Sequence, residues 1–326
     1  MTPGSAGFSL PTSSDEDWRY VDCKSLADAV PAQSDGPAIG EVVGADALPT
    51  PTDAGMAWAI AGGVRRLALS GTQHLQLDDH GGAWALRLDL APGAVVRISL
   101  RRHVATGRSA SWLHTVLGRS ATLELDDLPA TDGDVQLAAI TGDVAQDARF
   151  AIHIAQLGGR LVRHRIEARL AAPGANCAIT AAASVRGTAQ AHILTRVVHA
   201  VGLTQSDQLI KAVLRDNTRT SFDGVVTMLK GADGAKAVQQ DRNLLLSPGA
   251  RADTRPQLDI RADEVEASHG ATVGALDEDE LIYLRARGLD GTTSRNLLTT
   301  AFLDEALLHL ADPAMRLAAK NLLHAL

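Results

Sequence analysis

The chain has 326 residues, of which 45% are hydrophobic and 21% charged, so it is long enough for one large soluble domain or two. Its formal net charge of -7 offers no general attraction to nucleic acid or to an anionic membrane. No apolar run approaches the ~18 residues that span a bilayer, and residues 1–17 lack the basic start and apolar stretch of a secretory signal. We therefore expect a cytoplasmic protein without nucleic-acid or membrane partners.

The first 66 residues are expected to form an N-terminal tail, a short helical element and a linker. The tail is rich in serine, threonine, proline and glycine, and a short ordered element begins at Asp17-Trp18-Arg19-Tyr20. Residues 31–51 are again rich in proline and glycine, which is typical of a linker. A second short element near residues 54–66 leads into the main body.

Between residues 67 and 275 the dominant period is two, which is the period of a strand with one face in a core and the other in water. In one run, for example, Val162 and His164 alternate with Arg163 and Arg165, which predicts that both arginines face solvent. No helical pattern interrupts these runs, so alternating strands and helices are excluded. A sandwich, a barrel and a β-helix remain, and no clean repeat favours one of them.

Residues 276–326 change to a helical pattern and predict a small C-terminal helical domain. Aspartates stand where helix N-caps are expected, and a proline follows one of them at the first helical position. Three helices are predicted. The first begins after Asp277 and stops at Gly288, and the second runs from about residue 293 to 310. The third begins at Asp312-Pro313.

The sequence has no motif for nucleotide binding or hydrolysis. Phosphate-binding, dinucleotide-binding, zinc-protease and nucleophile-elbow patterns are all absent, so the chain is not expected to bind ATP in the Walker manner. Cys23 and Cys177 are far apart and predict two free thiols rather than a zinc knuckle or a disulfide. They also cannot supply the four thiolates of a typical iron–sulfur cluster.

Several isolated polar residues have ordinary structural interpretations. Two small basic clusters are predicted to be solvated surface: Arg65-Arg66 and Arg101-Arg102-His103. His164 lies between apolar residues and is predicted to be a hydrogen-bonded core histidine. Lys211 lies on a predicted strand and is either exposed or extended along a packed surface.

His269 occupies a junction between the longest alternating run, residues 250–262, and the first C-terminal helix. Its neighbours Ser268 and Gly270 are small and leave the imidazole unshielded. Spacing alone favours a histidine in a turn. A Ser268–His269 nucleophile pair is disfavoured because adjacent strand residues point to opposite faces.

Six sequence blocks between His192 and Leu310, in this order, resemble the SufB/SufD family of iron–sulfur cluster assembly scaffolds. Together they extend over more than a third of the chain. The blocks are Ser206-Asp207-Gln208 with Lys211, Phe222-Asp223-Gly224, Gln239-Gln240-Asp241-Arg242-Asn243-Leu244-Leu245-Leu246-Ser247, Pro256-Gln257-Leu258-Asp259-Ile260, Ser268-His269-Gly270-Ala271-Thr272-Val273-Gly274 and Tyr283-Leu284-Arg285-Ala286-Arg287-Gly288.

The resemblance implies a mainly β fold, a right-handed parallel β-helix, with a short N-terminal and a helical C-terminal segment. It implies a non-catalytic scaffold that pairs with a SufB-like subunit and docks a SufC-like ATPase, which would hydrolyse the ATP. No cofactor would be stably bound to the chain alone, and a transient iron–sulfur cluster would form in the complex. The residues implied are His269 as a cluster ligand shared with the partner, and Ser268, Gly270, Thr272, Leu281, Tyr283, Leu284 and Phe302 as partner contacts.

Within the family, the short chain and the scarcity of cysteine suit the SufD type better than the SufB type. Family members often carry a cysteine two residues before the histidine, where this chain has Ala267, so a thiolate would have to come from the partner. Two alternatives remain: a homodimeric scaffold that handles metal, and a β-helix carbohydrate-active enzyme. The enzyme would need clustered carboxylates such as Asp259, Asp263 and Glu264.

Overall fold

The fold is seen in a computed structural model, which describes residues 11–12, 14–26, 39–103, 107–129 and 135–325. Residues 1–10 and 13 of the predicted tail, and residues 31–38 of the predicted linker, lie outside the described residues. The division into segments 1–66, 67–275 and 276–326 stays a prediction.

The strands form two sheets, here called sheet A and sheet B. Sheet A contains, in spatial order, β1 (Glu41–Val43), β2 (Val64–Leu69), β4 (Gly82–Leu90), β6 (Arg108–Leu117), β8 (Val135–Val144), β10 (Leu161–Leu170), β12 (Gln190–His199), β14 (Arg219–Met228) and β16 (Arg251–Ile260). Sheet B contains β3 (Thr72–Asp79), β5 (Val95–Arg102), β7 (Thr122–Leu128), β9 (Arg149–Gln156), β11 (Asn176–Val185), β13 (Gln205–Leu214), β15 (Lys236–Leu245) and β17 (Glu266–Gly274). From β2 onward, successive strands alternate between the sheets and all pairings are parallel, which confirms the parallel β-helix.

The lengths of successive coils explain why no repeat is visible in the sequence. Aligned positions on sheet A are 26 residues apart from Val135 to Leu161, 29 from Leu161 to Gln190, 29 from Gln190 to Arg219 and 32 from Arg219 to Arg251. The strands keep their register because the turns between them absorb the difference in length. A fixed sequence period is therefore lost although the structure repeats.

The interior of the β-helix changes character along its axis. One inward-facing row passes through Leu125, Ile152 and Ile179 on β7, β9 and β11, all fully buried. Burial of each such side chain contributes roughly 1.5–3 kcal/mol. The same row continues through Gln208 and Gln239, which are equally buried. Along this row the interior is therefore apolar in the early coils and polar in the last ones.

The helices are α1 (Ala54–Ala61), α2 (Glu278–Ala286), α3 (Gly291–Leu307) and α4 (Pro313–Ala325), with 3₁₀ helices at Glu16–Trp18, Cys23–Leu26 and Ala45–Ala47. The predicted caps are confirmed, because the Asp277 carboxylate accepts from two backbone N–H groups of α2 and Asp312 accepts from Ala314 at the start of α4. Helix α3 begins two residues earlier than predicted, with Asp290 as its cap. No helix within the described ranges is long and apolar enough to cross a membrane.

Helix α3 packs on the outer face of sheet B around Lys211. The sequence left open whether this lysine is exposed or lies along a packed surface, and the structure shows that it is packed. Lys211 is buried, its Nζ donates to the carbonyl oxygen of Phe302 at 2.9 Å, and it lies 4.2 Å from the centroid of that ring. It also forms an ion pair with Glu305. Buried Leu303 and Leu307 complete this contact. The helical unit is thus fixed against the β-helix.

The outer face of sheet A is covered by the N-terminal segment, so the prediction that Arg163 and Arg165 face water is wrong. Arg163 pairs with Asp53, the cap of α1, at 2.8 Å, and its guanidinium lies 3.9 Å from the centroid of a Trp18 ring. Arg165 pairs with Asp17. Both arginines are buried because residues far away in sequence supply their counter-charges and the cover.

A buried ion network in the early coils contradicts the prediction that Arg102 is solvated surface. Arg102 is 6% exposed and pairs with Asp79 at 2.8 Å and with Asp127 at 2.7 Å. Burial opposes ionisation of Asp127, but Arg102 still holds the pKa of that carboxyl well below its usual value. His164 lies 3.3 Å from Asp127, which confirms the predicted hydrogen-bonded core histidine.

Candidate functional site

The β-helix ends in two strands that each have a single neighbour, and we call this surface, formed by β16 and β17, the open end. Strand β16 pairs only with β14, and β17 pairs only with β15, among the residues that the structure describes. Unlike the preceding strands, β16 is partly exposed along its whole length and β17 is almost entirely exposed. Unpaired strand edges of this kind are templates for pairing with another chain.

His269 lies on β17, so the interpretation of spacing alone, a histidine in a turn, is wrong. In the register it stands beside Gln239 of β15, whose side chain is fully buried in the interior. Ala267, two residues earlier, is on the same face of β17 and packs on the core. His269 therefore belongs to an inward-facing row, but its side chain is exposed, because no strand of the described residues pairs with β17 on its outer edge.

Three predicted partner contacts share β17 with His269. Ser268, Gly270 and Thr272 alternate with it, so they lie on the outer face of the strand, and all three are exposed. A Cβ atom added at Gly270 would meet no atom within 4 Å. The structure thus brings these residues together at the open end, and their contact with a partner stays a prediction.

The four predicted contacts on the helices differ in exposure. Leu281 is buried, and Leu284 and Phe302 are half-buried, so they serve packing within this chain. Tyr283 is 55% exposed, and the Arg287 guanidinium lies 3.4 Å from the centroid of its ring. Sequence reasoning missed other apolar side chains that the helices expose: Ile282, Leu297, Leu308 and Leu317.

Beneath the open end, the interior carries a layer of buried amides and a carboxyl. The Thr195 hydroxyl donates to Gln208 Oε1 at 2.7 Å, and Gln239 Nε2 donates to the same oxygen at 3.3 Å. Asn243 Nδ2 donates to Asp241 Oδ2 at 2.9 Å. Burial raises the pKa of Asp241 to about 6. Polar residues at inward-facing positions of late strands were the sequence signal for this layer, and sequence reasoning did not use it.

Within the chain, few groups are available to bind metal. Cys23 and Cys177 are free thiols, as predicted, and burial raises the pKa of Cys177 to about 12, which disfavours its thiolate. Burial lowers the pKa of His192 to about 3 and of His199 to about 4, so both stay neutral. Among the described residues no group of three or more His, Cys, Asp or Glu could hold a metal ion. His269 can therefore offer one nitrogen ligand to a set completed elsewhere.

Comparisons with known proteins agree with this architecture. The family model "SUF system FeS cluster assembly, SufBD core domain" matches residues 89–302. The iron–sulfur cluster assembly protein SufD of Escherichia coli is 32% identical over 173 residues, which are 53% of this chain and 41% of that protein. The SufBD family protein slr0076 of Synechocystis is 34% identical over 164 residues, 50% of this chain and 36% of that protein.

A plant protein is similar over the same share of the chain. The chloroplastic protein ABCI7 of Arabidopsis thaliana is 30% identical over 181 residues, 55% of this chain and 38% of its own length. The chain thus matches less than half the length of each of these three relatives. Because the family model matches well over half of the chain, the resemblance seen in the sequence is confirmed: the protein belongs to the SufB/SufD family of iron–sulfur cluster assembly proteins.

Proposed function

We propose that this protein is a SufD-like scaffold subunit that supports cluster assembly at a junction with a SufB-like subunit. The observation that carries the proposal is the open end. There the outer edges of β16 and β17 have no neighbouring strand among the described residues, and the exposed His269 lies on the same surface. If a partner paired with these edges, it would bury His269, which is aligned with the inward-facing Gln239 of the neighbouring strand. The junction would then enclose His269 together with groups of the partner.

His269 has suitable chemistry for this role. A neutral imidazole is a good ligand for iron and can complete a set of thiolates. Strands β16 and β17 contain no cysteine, and Cys177 lies buried in the core on β11. The thiolates would therefore come from the partner, and the cluster is cargo that leaves the complex. In this proposal the chain is a cytoplasmic scaffold and has no catalytic group of its own.

The helical unit is the proposed docking site of a SufC-like ATPase. Tyr283 and Ile282 on α2 and Leu308 at the end of α3 are apolar and exposed, and such patches are typical of protein contacts. Lys211 and its contacts with α3 connect that surface to sheet B. ATP-driven movement of the ATPase would pull on the helices and open the junction around His269.

A charge at the open end tests the partner surface. Val273 is 45% exposed at the end of β17, and Val273→Glu would place a carboxylate where the partner packs. We expect recovery of the SufB-like subunit in co-purification to fall at least about tenfold, because an unpaired charge is costly in an apolar contact.

The control for this experiment is Leu203→Glu, which adds the same charge to an exposed apolar residue in a turn before β13. It should leave recovery unchanged. If Val273→Glu and Leu203→Glu retain the SufB-like subunit equally well, the open end is not the surface that pairs.

A further inference from the structure

One row of interior positions on sheet B changes from aliphatic residues to amides and ends at His269. The aligned residues on β11, β13, β15 and β17 are Ile179, Gln208, Gln239 and His269. The first three are fully buried. Neighbouring strands of a sheet lie about 4.8 Å apart, so each side chain in this row can contact the next one.

The two amides form the beginning of a hydrogen-bonded ladder along this row. Gln239 Nε2 donates to Gln208 Oε1 at 3.3 Å, and the same oxygen accepts from the Thr195 hydroxyl at 2.7 Å. Gln208 Nε2 has no acceptor among the described residues, and its other neighbour in the row is the aliphatic Ile179. In a ladder of this kind each amide donates to one neighbour and accepts from the other. The next donor is therefore expected at the position after Gln239, which is His269.

Gln239 Oε1 is an acceptor that still needs a donor. It is buried, and no donor within the described ranges bonds to it, the exposed imidazole of His269 included. Buried polar atoms in folded proteins nearly always have a partner. The amide has little freedom, because it extends toward Gly224 of β14, where an added Cβ would lie 2.3 Å from Nε2. With Nε2 bonded to Gln208, the oxygen of the planar amide is directed away from that residue.

We propose that Gln239 is a positioning residue for His269: when a partner encloses the open end, one ring N–H of this histidine donates to Gln239 Oε1. The inference rests on the proposed function and adds a residue to it. The hydrogen bond fixes the tautomer, because the nitrogen that donates is protonated and the other keeps its lone pair for iron. It also fixes the orientation of the ring. The ladder from Gln208 to His269 thus connects the interior of the β-helix to the proposed ligand.

The first test observes the imidazole itself, without iron. The histidine rings of this chain are labelled with ¹⁵N, and NMR spectra are recorded for the chain alone and for its metal-free complex with the SufB-like and SufC-like partners. The His269 signals are those missing from His269→Ala. We expect both tautomers in the chain alone, one tautomer in the complex, and both again in the Gln239→Met complex. Gln156→Met is the matched control, because Gln156 is a buried glutamine on β9 whose amide donates to the Gly158 carbonyl oxygen.

The second test measures how firmly the complex retains its cluster. Complexes are loaded with iron and sulfide without oxygen, and the rate of iron loss to a chelator is recorded. Removing a hydrogen bond that orients a metal-binding histidine commonly weakens binding by ~10–100-fold, so Gln239→Met should lose iron about tenfold faster than the wild type. Gln156→Met should not. Gln239→Glu keeps the size and an acceptor oxygen, and it should retain both the single tautomer and the slow loss of iron.

The two tests separate this inference from the proposed function. If the His269 signals are the same in the chain alone and in the complex, or do not respond to Gln239→Met, the hydrogen bond does not form. Equal effects of Gln239→Glu and Gln239→Met would assign the loss of iron to packing and overturn the positioning role. A cluster that is retained in His269→Ala would instead contradict the proposed ligand, while the ring signals still decide whether Gln239 orients His269.

Discussion

Replacing Arg102 by alanine is expected to lower the free energy of unfolding by about 3–5 kcal/mol. The guanidinium forms ion pairs with two carboxylates that are themselves fully buried, Asp79 and Asp127. Without it, Asp79 remains in the interior without a counter-charge and Asp127 keeps only the imidazole of His164, and neither carboxylate can reach water without opening a coil. Denaturant unfolding followed by circular dichroism measures the effect.

Arg66→Ala is the matched control for this prediction. Arg66 pairs with Asp89 at 2.6 Å, but its side chain is 45% exposed. Exposed ion pairs contribute little to stability, because water replaces the lost partner, so we expect a much smaller loss than for Arg102→Ala. Similar small losses in both variants would mean that the Arg102 network is hydrated and does not stabilise the early coils.

The second large effect concerns pH. The unfolding free energy of the wild type should fall by about 2–3 kcal/mol relative to that of Asp241→Asn as the pH rises from about 4 to about 7. Burial raises the pKa of Asp241 from 3.8 to about 6, so the native state keeps a proton that the unfolded chain has already released. The stabilisation is complete below the unfolded pKa and is lost as the pH rises through the native pKa.

The measurement is the difference between the unfolding free energies of the two proteins at each pH, which removes the contribution of the other titrating groups. If the unfolding free energies of the wild type and Asp241→Asn differ by the same amount from pH 4 to pH 7, Asp241 titrates normally and is in contact with water.

The β architecture and the C-terminal helices could be predicted because their signals are local. Alternation of apolar and polar residues reports a strand directly, and the caps at Asp277 and Asp312 need only neighbouring residues. The choice of a β-helix needed the family blocks, since period two is common to every sheet with one buried face. Coils of unequal length removed the repeat that would otherwise have identified it.

The errors arose where contacts join residues distant in sequence. The alternating pattern predicts that Arg165 faces water, but one of its partners, Asp17, is 148 residues away. The basic cluster predicts that Arg102 is on the surface, although Asp79 and Asp127, each more than twenty residues away, surround it. Small neighbours predict that His269 is in a turn, whereas in the structure they belong to an exposed edge strand.

The central claim is that His269 contributes to the cluster at the open end, and one measurement tests it most directly. The chain is co-purified with its SufB-like and SufC-like partners without oxygen, and iron and acid-labile sulfide are determined for wild type, His269→Ala and His103→Ala. His103 is an exposed histidine near the opposite end of the β-helix, paired with Asp78, and serves as the control. We predict that His269→Ala loses most of the cluster while the complex stays intact, and that His103→Ala retains it. Equal iron and sulfide in all three complexes would contradict the assignment and place the ligands on the partner alone.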